Sequence, residues 1–336
     1  MRYVKRATVM VLVLTFALLS GACQPLLLPE TQMQPTAAVA QPEMTSAVIP
    51  TPVPTPAITM GPDQLNAVWG SSGSDVFVFG ITGRILHYDG SAWSTMETDN
   101  STGFAAAWGN SGTDVYAVGG GGTILHYDGS TWSRMPSSSY QIIMSVWGAS
   151  STDIFAVGPS GLILHYDGHD WLPMETDADD RLLIVWGTSG NDVFAGGASS
   201  NILHYDGTDW SPMETPEHFA PVWGMWGSSS DDVYAVGEKG TILHYDGRSW
   251  SPMESGTTSD FVFTWGSAAN DIFAVGSRGL ILHYDGNNWT PMPSGTTSEI
   301  QCIWGNSSAD VYAVAAGDTI LHYDGDAWSV VRSAEK

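Results

Sequence analysis

Cysteine is nearly missing from this chain: there are 2 in 336 residues, too few for a disulfide framework. Basic residues are scarce as well, with Lys plus Arg 11 against Asp plus Glu 35 and a formal net charge of -24. A phosphate-backbone binder needs a cationic face, so nucleic acid is excluded as a partner. The apolar run from Val9 to Leu19 is too short for the ~20 residues of a spanning helix. Charged residues are 14% of the chain, so the long charged side chains that cover surface helices are few. What is abundant instead is Gly (38), Trp (15) and aromatic side chains (11%), a composition that folds and that favours strands and turns.

The first residues read as an address. Arg2, Lys5 and Arg6 precede the apolar run, which ends in Ser20, Gly21 and Ala22 before Cys23. Leu19-Ser20-Gly21-Ala22-Cys23 resembles a bacterial lipoprotein signal with its lipobox, although Ser20 stands where that motif usually has Leu. The resemblance implies that residues 1–23 are a signal peptide, that Cys23 is lipidated, and that the mature chain sits in the cell envelope. It would be held by a lipid anchor alone on the extracytoplasmic side, periplasmic or at the cell surface. Residues 24–62 read as a Pro-rich linker; Pro50-Thr51-Pro52-Val53-Pro54-Thr55-Pro56 favours extended polyproline II.

From Leu65 onward the chain repeats itself. Trp-Gly begins at Trp69, Trp108, Trp147, Trp186, Trp226, Trp265 and Trp304, in steps of 39 residues with a single step of 40. Leu-His-Tyr-Asp-Gly follows the same steps, with histidines His87, His126, His165, His204, His244, His283 and His322. Each unit holds four short alternating segments separated by Gly-rich turns, and Asp-Gly is a hairpin signal. A lone four-stranded sheet cannot cover both faces, and stacking copies in a ring can. Residues 63–336 are therefore expected to form one all-β domain, a seven-bladed β-propeller of four-stranded repeats. With the Trp-Gly strand innermost, Leu65 to Arg332 holds seven complete blades and no strand need be borrowed; the alternative is that residues just before Leu65 add an edge strand to the last blade, and a monomer is expected. In the last copy Val331 stands where the others have Met.

The order Trp-Gly, Asp-Val-Tyr-Ala-Val-Gly, then Gly-x-Ile-Leu-His-Tyr-Asp-Gly-x-x-Trp resembles propellers of the BNR/Asp-box kind, including photosystem II assembly-factor propellers. Ser255-Gly256-Thr257-Thr258 adds to that likeness, and Tyr-Asp followed by Trp and Met is kelch-like. The resemblance implies fold far more than activity. An assembly role would call for a basic patch that this chain lacks.

Sevenfold repetition separates framework from candidates. The repeated His and Trp residues do a job that exists seven times, which is packing or hydrogen bonding. The aspartates that open the second strands, Asp75 and its counterparts, are expected to accept backbone N–H groups of the preceding turn. No metal or cofactor is expected; calcium at those turns is the alternative, without a recognised loop spacing. The variable positions lie in the loops that lead into the innermost strands. They carry Phe104, Tyr140, Arg181, Glu217, His218, Phe219, Trp223, Asp260 and Phe261, the candidate binding rim.

Three functions compete. The first is a tethered binding or scaffold propeller that takes a protein or peptide on the variable face. The second is a carbohydrate-binding propeller. The third, a glycan-active hydrolase or lyase, lacks support: the arginines of the repeats occupy unrelated positions, and no catalytic constellation is visible. A non-enzyme is expected.

Overall fold

The computed structural model describes residues 64–199, 201–217 and 219–333, so the expected signal peptide with Cys23 and the expected linker lie outside the described residues. The first blade is an antiparallel sheet of β1 (Leu65–Ser72), β2 (Asp75–Gly80), β3 (Ile85–Tyr88) and β4 (Trp93–Met96), in that spatial order. The same sheet recurs to give seven, each made of four strands consecutive in the chain. The helical elements among the described residues are 3-10 turns such as Gly120–Gly122 and Glu238–Gly240. The protein is an all-β, seven-bladed propeller.

Each innermost strand packs on the innermost strands of its two neighbours, and β1 packs on that of blade seven, Ile300–Ser307. The ring is thus closed by packing alone. Every seam holds one apolar cluster. At the closing seam Leu65, Val76 and Leu86 of blade one meet Cys302, Val314 and Ile320 of blade seven. Fully burying each such side chain is worth ~1.5–3 kcal/mol, which is why period-2 alternation in strands two and three sets the register. Cys302 is buried there as a small apolar residue.

The aromatic framework runs from blade to blade. The outer Trp132 of blade two meets the ring of Phe77 in blade one edge-on at 6.3 Å, and its Nε1–H points to Met96 Sδ at 3.4 Å. Trp250 Nε1–H likewise reaches Met213 Sδ at 3.3 Å. The last blade differs from its sequence alignment. Met96 pairs with Ile85 in blade one, but the counterpart of Ile85, Ile320, pairs with Arg332 across a register shift. An extra residue in the last strand therefore puts Arg332, not Val331, in the methionine's place.

Strand direction sorts the loops. Loops into the innermost strands and second-to-third turns share one face: Ile81 N–H donates to Gln64 O at 3.0 Å, and Glu238 N–H to Pro221 O at 3.2 Å. The first-to-second and third-to-fourth turns share the opposite face, where Tyr312 Oη donates to Gly73 O at 3.1 Å across the closing seam.

Candidate functional site

The opposite face is built from repeated parts. In every blade the repeat histidine donates or accepts through Nε2 at the aspartate that opens the second strand: His87 with Asp75 at 2.6 Å, His126 with Asp114 at 2.7 Å, His322 with Asp310 at 2.8 Å. Each of these rings also lies over the strand-two aromatic, as His87 does on Phe77 with centroids 4.4 Å apart. Where a hydroxyl precedes, as at Ser71, it donates to the other oxygen of the same carboxylate. The aspartates therefore bind side chains, not the turn N–H groups expected of them. In that turn Ser74 N–H goes to Ser72 Oγ at 3.4 Å instead, and the second repeated aspartate serves its own turn: Asp89 Oδ1 accepts from the N–H groups of Ser91 and Ala92, each at 2.9 Å.

Chemically the order is hydroxyl, carboxylate, imidazole. A nucleophile relay needs the imidazole between the hydroxyl and the carboxylate, so that a base takes the hydroxyl proton. Here the carboxylate engages both, and the hydroxyl meets no imidazole. No group of three or more His, Cys, Asp or Glu is placed to hold a metal among the described residues.

The variable face holds the residues that occur once. Tyr140 is 95% exposed, so nothing in the propeller itself uses its ring. Glu217 is exposed, and Arg181 and Asp260 are half-buried. Burial lowers the Arg181 guanidinium below its ordinary value. Beside it, Asp180 staples two loops, accepting Arg181 N–H at 2.6 Å and Ser199 N–H at 2.9 Å. Asp260 Oδ1 accepts Lys239 N–H at 2.8 Å, and its backbone oxygen accepts Ser277 N–H at 3.0 Å. Phe219 packs at the edge of the blade four–five cluster. His218 lies outside the described residues.

Two expected rim residues are not on the rim. Phe104 is 1% exposed and Phe261 0% exposed; both are core residues at the start of their innermost strands. They are the counterparts of Leu65, one step inside the loop, where the alternation already points into a seam.

The next position, one residue further, carries what sequence reasoning missed. The first two strands slip register there in blade after blade, between Leu65 and Ala67 and between Val222 and Gly224. The bulged residues include Asn66, Leu183, Trp223 and Gln301, and Met144 holds the same position in blade three, just before its strand begins. Ala106, Met144, Leu183, Trp223 and Phe263, from blades two to six, line one cavity of about 10 Å³. Side chains from five blades meet only at the ring axis, so this is a channel filled nearly to closure. Trp223 plugs it near the variable face. Its neighbour Gly224 lets the blade-six strand come close, because a β-carbon there would fall 2.8 Å from Phe263 Cα. The signal in the sequence was a single register at which large, small, polar and apolar residues alternate from copy to copy. Farther out, an open groove of about 650 Å³ on blade six runs along Leu280, Met292, Pro293 and Thr296.

No protein-family model matches this chain, and no curated protein matches its sequence. Solved structures do. A structure of YCF48 bound to D1 peptide superposes with a TM-score of 0.66 at 16% identity, covering 79% of this chain and 94% of the other. In shape, the chain is similar to YCF48. YCF48 from Cyanidioschyzon merolae superposes with a TM-score of 0.62 at 14% identity, over 81% of this chain and 96% of that one. The computationally designed Ika8 protein gives 0.63 at 16% identity, over 81% and 87%. At these identities YCF48 and Ika8 share the fold with this chain, and the likeness carries no residue assignments.

Proposed function

We propose that this protein is a membrane-tethered, extracytoplasmic binding propeller that takes a protein or peptide segment on its variable face. The observation that carries the reading is the division of labour between the faces. On the opposite face the repeated carboxylates are engaged by their own blades, whereas the variable face offers Tyr140, Glu217 and the half-buried Arg181 on stapled loops. Variable loops on a rigid frame are where recognition is usually carried. The similar YCF48 propeller has been seen with a peptide bound, which supports this ligand class. The leader ending in Cys23 supports the tether.

The test is a peptide-display selection on the parent protein, followed by affinity measurement. Tyr140→Ala combined with Arg181→Ala should weaken the selected peptides at least about tenfold, the loss of one or two good anchors. Ser130→Ala and Asn287→Ala, on the opposite face, should leave them unchanged. Peptides that lose binding only to the opposite-face variants would overturn the assignment. Selection of glycans instead, with binding indifferent to salt, would favour a lectin.

A further inference from the structure

We propose that the variable face looks back toward the membrane that holds the protein, so that its partner is a segment presented at that same membrane surface. The inference rests on the tethered reading above and adds an orientation to it. Two independent features carry it. The first is the path of the chain. β1 starts on the variable face, where Gln64 O is held by Ile81 N–H at 3.0 Å, so the chain enters the ring on that side. The last strand, Trp328–Arg332, also ends there.

The second feature is charge. Each blade puts two aspartates on the opposite face, Asp75 and Asp89 in the first, and Asp170, Asp209, Asp231 and Asp326 add to them. Arg248 is the one Lys or Arg in those turns among the described residues. The other side is acidic too, but less so: Arg84, Arg181, Lys239 and Arg278 lie in variable-face loops and turns, and Arg332 ends the last strand beside them, against thirteen carboxylates such as Glu175, Glu217 and Asp260. Burial does not hide the opposite-face charge, because the Asp89 and Asp128 carboxyls are held down at about 2 by hydrogen bonds of their turns. They stay ionised at any physiological pH. An anionic lipid surface repels both faces within its screening length of ~8 Å, and repels the less acidic variable face less. Tether and charge thus select the same orientation whenever the ring approaches the bilayer.

The experiment uses the full lipidated chain on vesicles containing anionic lipid, with a headgroup energy-transfer acceptor. A donor dye is placed at Tyr140→Cys on the variable face or at Asn287→Cys on the opposite face; the buried Cys302 is left in place. Transfer from residue 140 should exceed that from residue 287 by about twofold or more at low salt and converge as salt screens the repulsion. Equal transfer, or more from residue 287, in protein that floats with the vesicles overturns the orientation alone. Protein that does not float overturns the tethered reading beneath it.

Discussion

The indole of Trp304 stands against the backbone of Gly70, so close that a β-carbon on the glycine would fall 2.7 Å from its Cη2. Trp69 stands in the same way on Gly109, Trp108 on Gly148 and Trp265 on Gly305. Each Trp-Gly dipeptide is therefore two halves of two joints: its Trp is given to the next blade, its Gly receives the previous one. The Trp304–Gly70 contact shows that the ring closes with the joint it uses everywhere else.

Gly148→Ala should destabilise the protein by about 1–3 kcal/mol, because a rigid indole cannot move aside as a flexible chain would. Gly70→Ala, at the closing seam, should give a loss of the same size. Chemical denaturation measures both; a much larger loss for Gly70→Ala would make the last seam a special one.

Removing the carboxylate in Asp153→Ala leaves His165 without its partner at 2.7 Å and should destabilise by about 1–2 kcal/mol. Asp153→Asn, which keeps an acceptor oxygen, should recover part of that. Because the pair does structural work, neither change should alter peptide affinity at the variable face.

The turn aspartates set the response to acid. Asp89 is lowered to about 2 by the Ser91 hydroxyl and by the N–H groups of Ala92 and Ser91, and Asp128 to about 2 by Thr131 and Ser130. A depressed carboxyl contributes stability that is present above its unfolded value near 4 and is lost as pH falls through the folded one. The stabilising effect of these turns should therefore persist to pH 4 and fade between about 4 and 2. Carboxyl NMR titration checks it directly: Ser91→Ala should raise the Asp89 midpoint and leave Asp128 unmoved.

At the alkaline end Tyr312 should titrate late. Burial first, and then the charge of Asp310, push it up to about 12. A raised phenol favours the folded state below its unfolded value near 10, and that contribution disappears as pH climbs toward 12. Ultraviolet titration of Asp310→Asn should show the Tyr312 midpoint moving down.

Lys239 and Arg278 occupy the left-handed region, with φ of 56° and 59°. Lys239→Gly or Arg278→Gly should stabilise the fold by about 1 kcal/mol. Each also removes a variable-face cation, so partner affinity measured alongside should change even as thermal stability rises.

The ring could be read from the sequence because its information is written seven times. The Trp-Gly and Leu-His-Tyr-Asp-Gly steps fix the unit, and the alternation within it fixes the faces. The rim was less legible because direction along a loop has no period. Phe104 and Phe261 differ from exposed loop residues only in standing one place before the bulge, and a bulge leaves no residue type of its own behind. The swap of Arg332 for Val331 was hidden for the same reason: one extra residue in an edge strand changes register without changing composition. Trp223 stood out as the single tryptophan outside the pattern, yet its role as a plug depends on Met144, Leu183 and Phe263, which come from other blades.

Because each sheet is complete within its own stretch of chain, the ring has no strand that waits for a distant partner, but it does have a side that waits. As synthesis proceeds, blade one can form at once, while the apolar flank carrying Leu65, Val76 and Leu86 stays uncovered until Val314 and Ile320 have been made. For nearly the whole time of translation, the nascent protein is an open arc with two uncovered flanks, that of blade one and that of the newest blade. The last blade is the one that covers both.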